Sequence, residues 1–184
     1  MTQVVESTAL RDHLVLTLET GWKLIATMTE HPYQTGFPDL GLSSIGEHYR
    51  HHLDHVELFI EGLEAGCIDY DKRRRDPRVA SQVAVALEKT RRLIEALQAL
   101  PADVLDEPIQ VYQRSHVDDP RHLCTSTVAR ELLFLNSHAI HHYAIMTIAT
   151  RLHGLKCGET IGVMPSTLVD RPKRSDEPAL SQAK

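Results

Sequence analysis

Cysteine is scarce in this chain of 184 residues, and the few that occur do not cluster. Cys67, Cys124 and Cys157 are odd in number, far apart and form no C-x-x-C pair. That pattern excludes a disulfide framework and a cysteine zinc site, and it points to a reducing, cytoplasmic setting. Long apolar runs are also missing: none approaches the ~20 residues that a membrane span requires. The opening stretch MTQVVESTALRDH carries acids early and has no cationic start before an apolar block, so it does not read as a signal peptide. Positive charge is in deficit, with 20 Lys and Arg against 25 Asp and Glu and a net charge of −5. Binding to nucleic acid or to anionic lipid is not expected of such a chain. The single basic run, Lys72-Arg73-Arg74-Arg75, reads as a solvated loop between helices. G-x-S-x-G, Walker A and G-x-G-x-x-G motifs are absent. No glutamate has a histidine three residues on, which argues against a di-iron bundle, and C-x-x-C-H is missing, which argues against attached haem.

What remains is a chain of ordinary globular composition, 42% hydrophobic and 24% charged, long enough to bury a core. Residues 1–170 read as one domain, and the charged stretch 171–184, RPKRSDEPALSQAK, as a disordered tail. Four long helical segments account for most of the domain. The first spans about residues 7–30, with Leu10, Leu14, Leu18, Trp22, Ile25 and Met28 at helical spacing, and stops at His31-Pro32. The second begins at the capping box Ser44-Ile45-Gly46-Glu47 and runs to about Glu64, ahead of Gly66. The third starts at Asp76-Pro77 and continues to Leu100 before Pro101. The fourth, capped by Thr125 or Ser126, runs from Thr127 to Leu152, with Gly154 beyond it. Between the last two, Ile109 to Val117 has the alternation of a short β-hairpin arm. The expected fold is therefore all-α, a four-helix bundle with a hairpin arm between helices 3 and 4. The segment GVMPST (162–167) follows the last helix and is placed to fold back over the bundle end.

Histidine is the residue in excess. His48-Tyr49-Arg50-His51-His52-Leu53-Asp54-His55 and His138-Ala139-Ile140-His141-His142 together hold seven of the twelve histidines. On the second helix, His48, His51, His52 and His55 share an arc about 100° wide beside the apolar stripe of Ile45, Tyr49, Leu53, Val56, Ile60 and Leu63. On the fourth, His138 and His142 are one turn apart on one face, near enough to bind one metal ion together. One more histidine from a neighbouring helix completes a three-nitrogen site with a position left for water or substrate. A lone half-buried histidine is more often a hydrogen-bonded core residue, but two clusters beside two apolar faces favour a metal. Periodicity places His51 farthest from the apolar centre and favours His48, His52 or His55 as the third donor.

The spacing Ser44 to His51, together with His138-x-x-x-His142, resembles the DinB/YfiT-like superfamily of metalloproteins from about residue 7 to 155. The resemblance implies an up-down-down-up helix arrangement and a divalent ion held by His51, His138 and His142. His48, His55, His141 and Glu131 are then alternates or groups that orient the ligands, and Asp54 is a candidate catalytic group. All-imidazole ligation suits Zn²⁺ or Ni²⁺. Relatives include enzymes that use a low-molecular-weight thiol, so the resemblance implies a hydrolase or a thiol S-transferase acting on a small molecule. Because no cysteine lies in a histidine motif, a reacting thiol would come from a cosubstrate. A metal-binding stress protein without turnover is the alternative. The relatives' habit of pairing through helix faces leaves room for a homodimer.

Overall fold

Ser44 and Glu47 fulfil the strongest local signal in the sequence. In the computed structural model, which describes residues 2–170, the Ser44 side chain accepts the Glu47 N–H (3.1 Å) and Glu47 Oε2 accepts the Ser44 N–H (3.0 Å). This capping box opens helix α3, Ile45–Ala65, and Gly66 closes it in the left-handed region at φ 69°. Before it come α1, Thr2–Ile25, and the short α2, Glu30–Gln34. The helix expected to end at His31-Pro32 stops earlier, and Pro32 lies instead in the first turn of α2. A proline there gives up an N–H that has no helical acceptor.

Asp76 and Pro77 start a helix as expected, with Asp76 Oδ1 accepting the Arg78 N–H at 2.9 Å. That helix, α4 (Pro77–Ser81), breaks at Gln82 and resumes as α5, Val83–Gln98. The break is held by a distant group: Glu30 accepts the Val83 N–H at 3.1 and 3.2 Å through its two carboxylate oxygens. The last long helix, α6 (Val128–Leu152), is capped by Thr127, whose side chain accepts the Arg130 N–H at 3.2 Å. Thr125 and Ser126, the expected caps, are used by a strand. A short α7, Pro165–Asp170, follows, and the segment 162–167 leads into it with Gly162 against the α6 backbone at Ala144. The tail expected at 171–184 lies outside the described residues.

The hairpin arm is present, with its return strand later than expected. Strand β2 (Pro108–Gln113) pairs antiparallel with β3 (His122–Thr127), Val111 opposite Cys124. A three-residue strand, β1 (Cys67–Asp69), adds in parallel on the other edge of β2, Ile68 opposite Val111. Ile109 and Val111 turn inward from β2 while their neighbours are more exposed, the period-2 pattern of a half-buried strand. Among the long helices, α1 packs on α5 and α6, and α3 packs on the same two. Leu14, Leu18, Tyr49, Leu53, Phe59, Leu97, Leu135 and Tyr143 fill the space between them. The chain is thus mostly helical with one small sheet. No helix among the described residues is long and apolar enough to cross a membrane.

Gly46, in the first turn of α3, lets α4 approach. A Cβ there would fall far inside contact distance of the Ala80 carbonyl oxygen, and it would also press on Tyr33. Gly46→Ala gains about 1 kcal/mol of helix propensity, but a backbone atom must move to admit the methyl. We expect a net loss of about 1–3 kcal/mol in chemical denaturation, the usual cost of overpacking. A variant as stable as the parent would show that α3 and α4 do not meet this closely.

Candidate metal centre

The histidines of α3 and α6 meet. Ring centroids of His51 lie 4.7 Å from His55, 4.5 Å from His142 and 5.0 Å from His138, while His138 lies 4.3 Å from His55 and 4.6 Å from His142. The four rings form a quadrilateral whose diagonal is His51–His138, one residue from each helix. Nitrogen atoms of His51, His55 and His138 all lie within 4.8 Å of one another, the arrangement of a group able to hold a metal ion. Two nitrogens bound to one Zn²⁺ can be at most about 4.2 Å apart, so a contraction of roughly half an ångström closes the set.

Hydrogen bonds assign several ring protons. The His51 carbonyl oxygen can only accept, so His55 donates to it from Nδ1 (2.9 Å) and its Nε2 keeps a bare lone pair. His48 and His142 face each other through Nδ1 atoms 3.1 Å apart, so one ring donates and the other accepts. The donor is the ring left with a bare Nε2. His138 Nε2 and His48 Nε2 are buried without hydrogen-bond partners. Buried polar atoms seldom stay so, and a bound cation satisfies any that carries a lone pair.

Burial is the main force on these rings. It pulls His138 down to about 4, with His55 and His141 adding repulsion, and His142 to about 3, with His138 and His48 adding to it. His51 falls to about 2 through burial first, then the neighbouring histidines and Arg73. His55 and His48 are lowered by burial as well, against the opposing pull of the His51 carbonyl and of Glu47 respectively. At neutral pH the cluster is therefore a set of uncharged nitrogen donors. Groups so weakly basic are poor general bases near pH 7 and good ligands for a cation.

The other expected site residues fall into place around this core. Glu131 is buried and accepts from Tyr70 Oη (2.9 Å) and Ser126 Oγ (2.6 Å). Tyr70 in turn stacks on His55 at 5.4 Å, so Glu131 reaches the histidines at one remove. His141 is exposed and touches only the edge of the cluster, through His142 at 5.3 Å. Asp54 is 1% exposed, and its carboxylate is engaged by Lys89 Nζ at 2.9 Å, with Arg50 Nε at 4.0 Å. His52, also 1% exposed, turns into the core between Tyr49 and Tyr143, at 4.8 and 5.0 Å.

Two contributors escaped the sequence reading. Tyr70 lies just after β1, a strand too short to announce itself. Arg73, in the basic run taken for a solvated loop, places its guanidinium against His51 Nδ1. A guanidinium only donates, so that contact fixes the His51 proton on Nε2. A cation binding at His51 must displace it.

An open cavity of about 250 Å³ lies beside the cluster, lined by Ser43, Glu47, His48, Arg50, His51 and His142. Larger cavities of about 510–590 Å³ occur elsewhere, but none has a histidine in its lining. Donor chemistry, not size, marks the smaller one. The sequence from 13 to 146 matches the DinB superfamily, a span that takes in both histidine clusters and the helices that carry them. The chain belongs to the DinB superfamily. Searches of curated proteins and of solved structures found no match. As a DinB protein it carries more imidazole around the site than three ligands require, and the quadrilateral shows where the excess lies.

Proposed function

We propose that this DinB protein is a metal-dependent enzyme acting on a small molecule, with a divalent ion held by His51, His138 and His142. The observation that carries the reading is the His51–His138 diagonal: two neutral imidazoles from different helices, each flanked by the same two further rings. The family spacing favours His142 as the third donor. In this reading α1, α3, α5 and α6 are the four helices of an up-down-down-up bundle, supported by the closed circuit of their contacts. Zn²⁺ or Ni²⁺ suits a set of imidazoles without carboxylate.

Such an ion, when bound, supplies Lewis acidity to a substrate oxygen or sulfur. The chain's own groups do the rest. His48, paired with His142 through Nδ1, fixes the orientation and tautomer of that ring, as outer hydrogen bonds do for metal-bound histidine. Tyr70 holds its proton, since burial and Glu131 raise it far above the usual range, and it shields the His55 face of the cluster. Both hydrolysis and transfer to a low-molecular-weight thiol fit this frame. Cys67 and Cys157 point their thiols at the carbonyl oxygens of Ile68 and Thr147, Cys124 is exposed, and none lines the cavity beside the cluster. In the second case the thiol therefore belongs to a cosubstrate.

Metal affinity of single alanine variants tests the site. His51→Ala, His138→Ala and His142→Ala should each weaken Zn²⁺ binding at least 100-fold, more than the 10- to 100-fold typical of outer residues, and His55→Ala about tenfold. Wild-type metal content in His51→Ala and His138→Ala would sink the assignment. If His55→Ala costs as much as His142→Ala, all four rings ligate. The coordination shell is then closed, which favours the second reading, a metal-binding protein without turnover. Turnover itself is checked with ester, amide and thiol-transfer substrates, comparing the metal-loaded protein with His51→Ala.

A further inference from the structure

In the basic run Lys72-Arg73-Arg74-Arg75, Arg73 keeps a guanidinium donor that no carboxylate accepts among the described residues. Arg73 is half-buried, its Nε has no hydrogen-bond partner, and its side-chain contact is with an imidazole, not a carboxylate. Asp54 and Asp71 act on it electrostatically without hydrogen-bonding it, and Asp54 Oδ2 itself lacks a hydrogen-bond partner. Asp54 Oδ1 accepts from Lys89 Nζ at 2.9 Å, and Asp71 Oδ2 accepts the Arg114 N–H at 3.0 Å. Arg50 on α3 also lines the cavity beside the cluster; it pairs with Asp54 at 4.0 Å, but its buried Nε makes no hydrogen bond. The loop that delivers Arg73 is itself constrained. Arg75 is the non-glycine residue with positive φ (53°) among the described residues, a conformation that costs of order 1 kcal/mol or more and collects at functional sites.

A buried guanidinium donor left without a hydrogen bond is costly. A divalent ion among the histidines would add two further positive charges beside it. Glu47 faces the same cavity, but its Oε2 already accepts from the Ser44 N–H and Oγ at 3.0 and 3.2 Å. An oxyanion would supply the acceptor that the Nε donors of Arg50 and Arg73 lack. We infer that Arg50 and Arg73 form an oxyanion-binding pair beside the histidines, and that the substrate carries a carboxylate or phosphate group which they hold. The forked donors of arginine suit either group. A cavity of about 250 Å³ admits a small acidic group rather than a large ligand. The pair deepens the proposed function, since it places the substrate's anionic end next to the ion.

The test is calorimetric titration of the full chain, stripped of metal and again loaded with Zn²⁺, with inorganic phosphate, malonate and malonamide. Malonamide matches malonate in size without its charge. At least one oxyanion should bind both forms, with malonamide at least tenfold weaker than malonate where malonate binds. The stronger of phosphate and malonate identifies the group recognised. Arg50→Gln and Arg73→Gln should each weaken oxyanion binding at least fivefold with unchanged circular dichroism. Arg73→Lys, which keeps the charge without the fork, should recover part of the loss. Lys72→Gln, on the exposed side of the same run, should stay within twofold of wild type. Failure of every oxyanion to bind, wild-type affinity in both arginine variants, or an equal loss in Lys72→Gln would each overturn the pair. Zinc content of the same samples separates the two ideas. Full zinc without an oxyanion response removes the arginine pair alone, and oxyanion binding by protein that takes up no zinc removes the metal reading alone.

Discussion

Metal-free protein is expected to lose about 3–4 kcal/mol of folding stability as pH falls from 7 to 5. The sign follows from proton counting. In the unfolded chain the histidines titrate near 6.5, whereas in the fold burial and mutual repulsion hold His138 at about 4, His142 at about 3 and His51 at about 2. Between 6.5 and those values the unfolded state binds more protons. The contribution of these rings is therefore intact above pH 6.5 and drains away as pH drops towards 4 and below. Three fully buried rings would cost roughly 6 kcal/mol by pH 5. His51 and His138 are only half-buried, and solvent screening reduces that figure. Few carboxylates titrate in this interval, so the signal belongs mainly to imidazole. Denaturation curves at pH 7, 6 and 5 with a chelator present would measure it. A His51→Gln, His138→Gln double variant should flatten the slope, and a stability independent of pH over this range would show that the cluster is solvated.

Asp54→Ala should cost about 3 kcal/mol. Its carboxylate is 1% exposed and holds Lys89 Nζ at 2.9 Å, with Arg50 at 4.0 Å. Breaking a buried pair from one side leaves the other charge uncompensated, at about 3–5 kcal/mol. The low end applies because Lys89 keeps Glu57, also at 2.9 Å. Adding Lys89→Met to Asp54→Ala should return most of the loss, since the stranded cation goes with it. Urea denaturation of both singles and the double gives the coupling directly, and additive losses would mean the two side chains act independently. Asp54 thus stands between two cations, Lys89 and Arg50, and its charge also acts on His55.

Local chemistry was legible in the sequence and distant chemistry was not. Ser44, Glu47 and Gly66 bound α3 at the expected residues because a capping box and a left-handed glycine are decided within a few residues. The split between α4 and α5 was invisible, because the carboxylate that satisfies Val83 comes from Glu30. Strand β1 is three residues long and exists only through its pairing with β2. The helical wheel favoured His48, His52 or His55 as the third donor and set His51 farthest out. In the fold His51 and His55 join His138, and His52 turns into the core between Tyr49 and Tyr143. The wheel counted only one apolar stripe on α3, whereas the helix also meets β1 and the loop that bears Arg73 on another side. The charge run itself gave no warning, since a sequence shows how many cations a loop has and not which of them turns inward.

The stretch 70–75 has both ends tied down, by the pairing of Cys67–Asp69 with β2 and by the Asp76 cap on α4. A span of about six residues between fixed anchors has little configurational freedom left to lose when a ligand arrives. Stability and alignment part company here. Doubling its length would cost only about 0.6 kcal/mol of closure entropy, yet it would release Arg73 from its place against His51. The small sheet is thus a ruler as much as a brace, setting how far one cation stands from the imidazoles of another element.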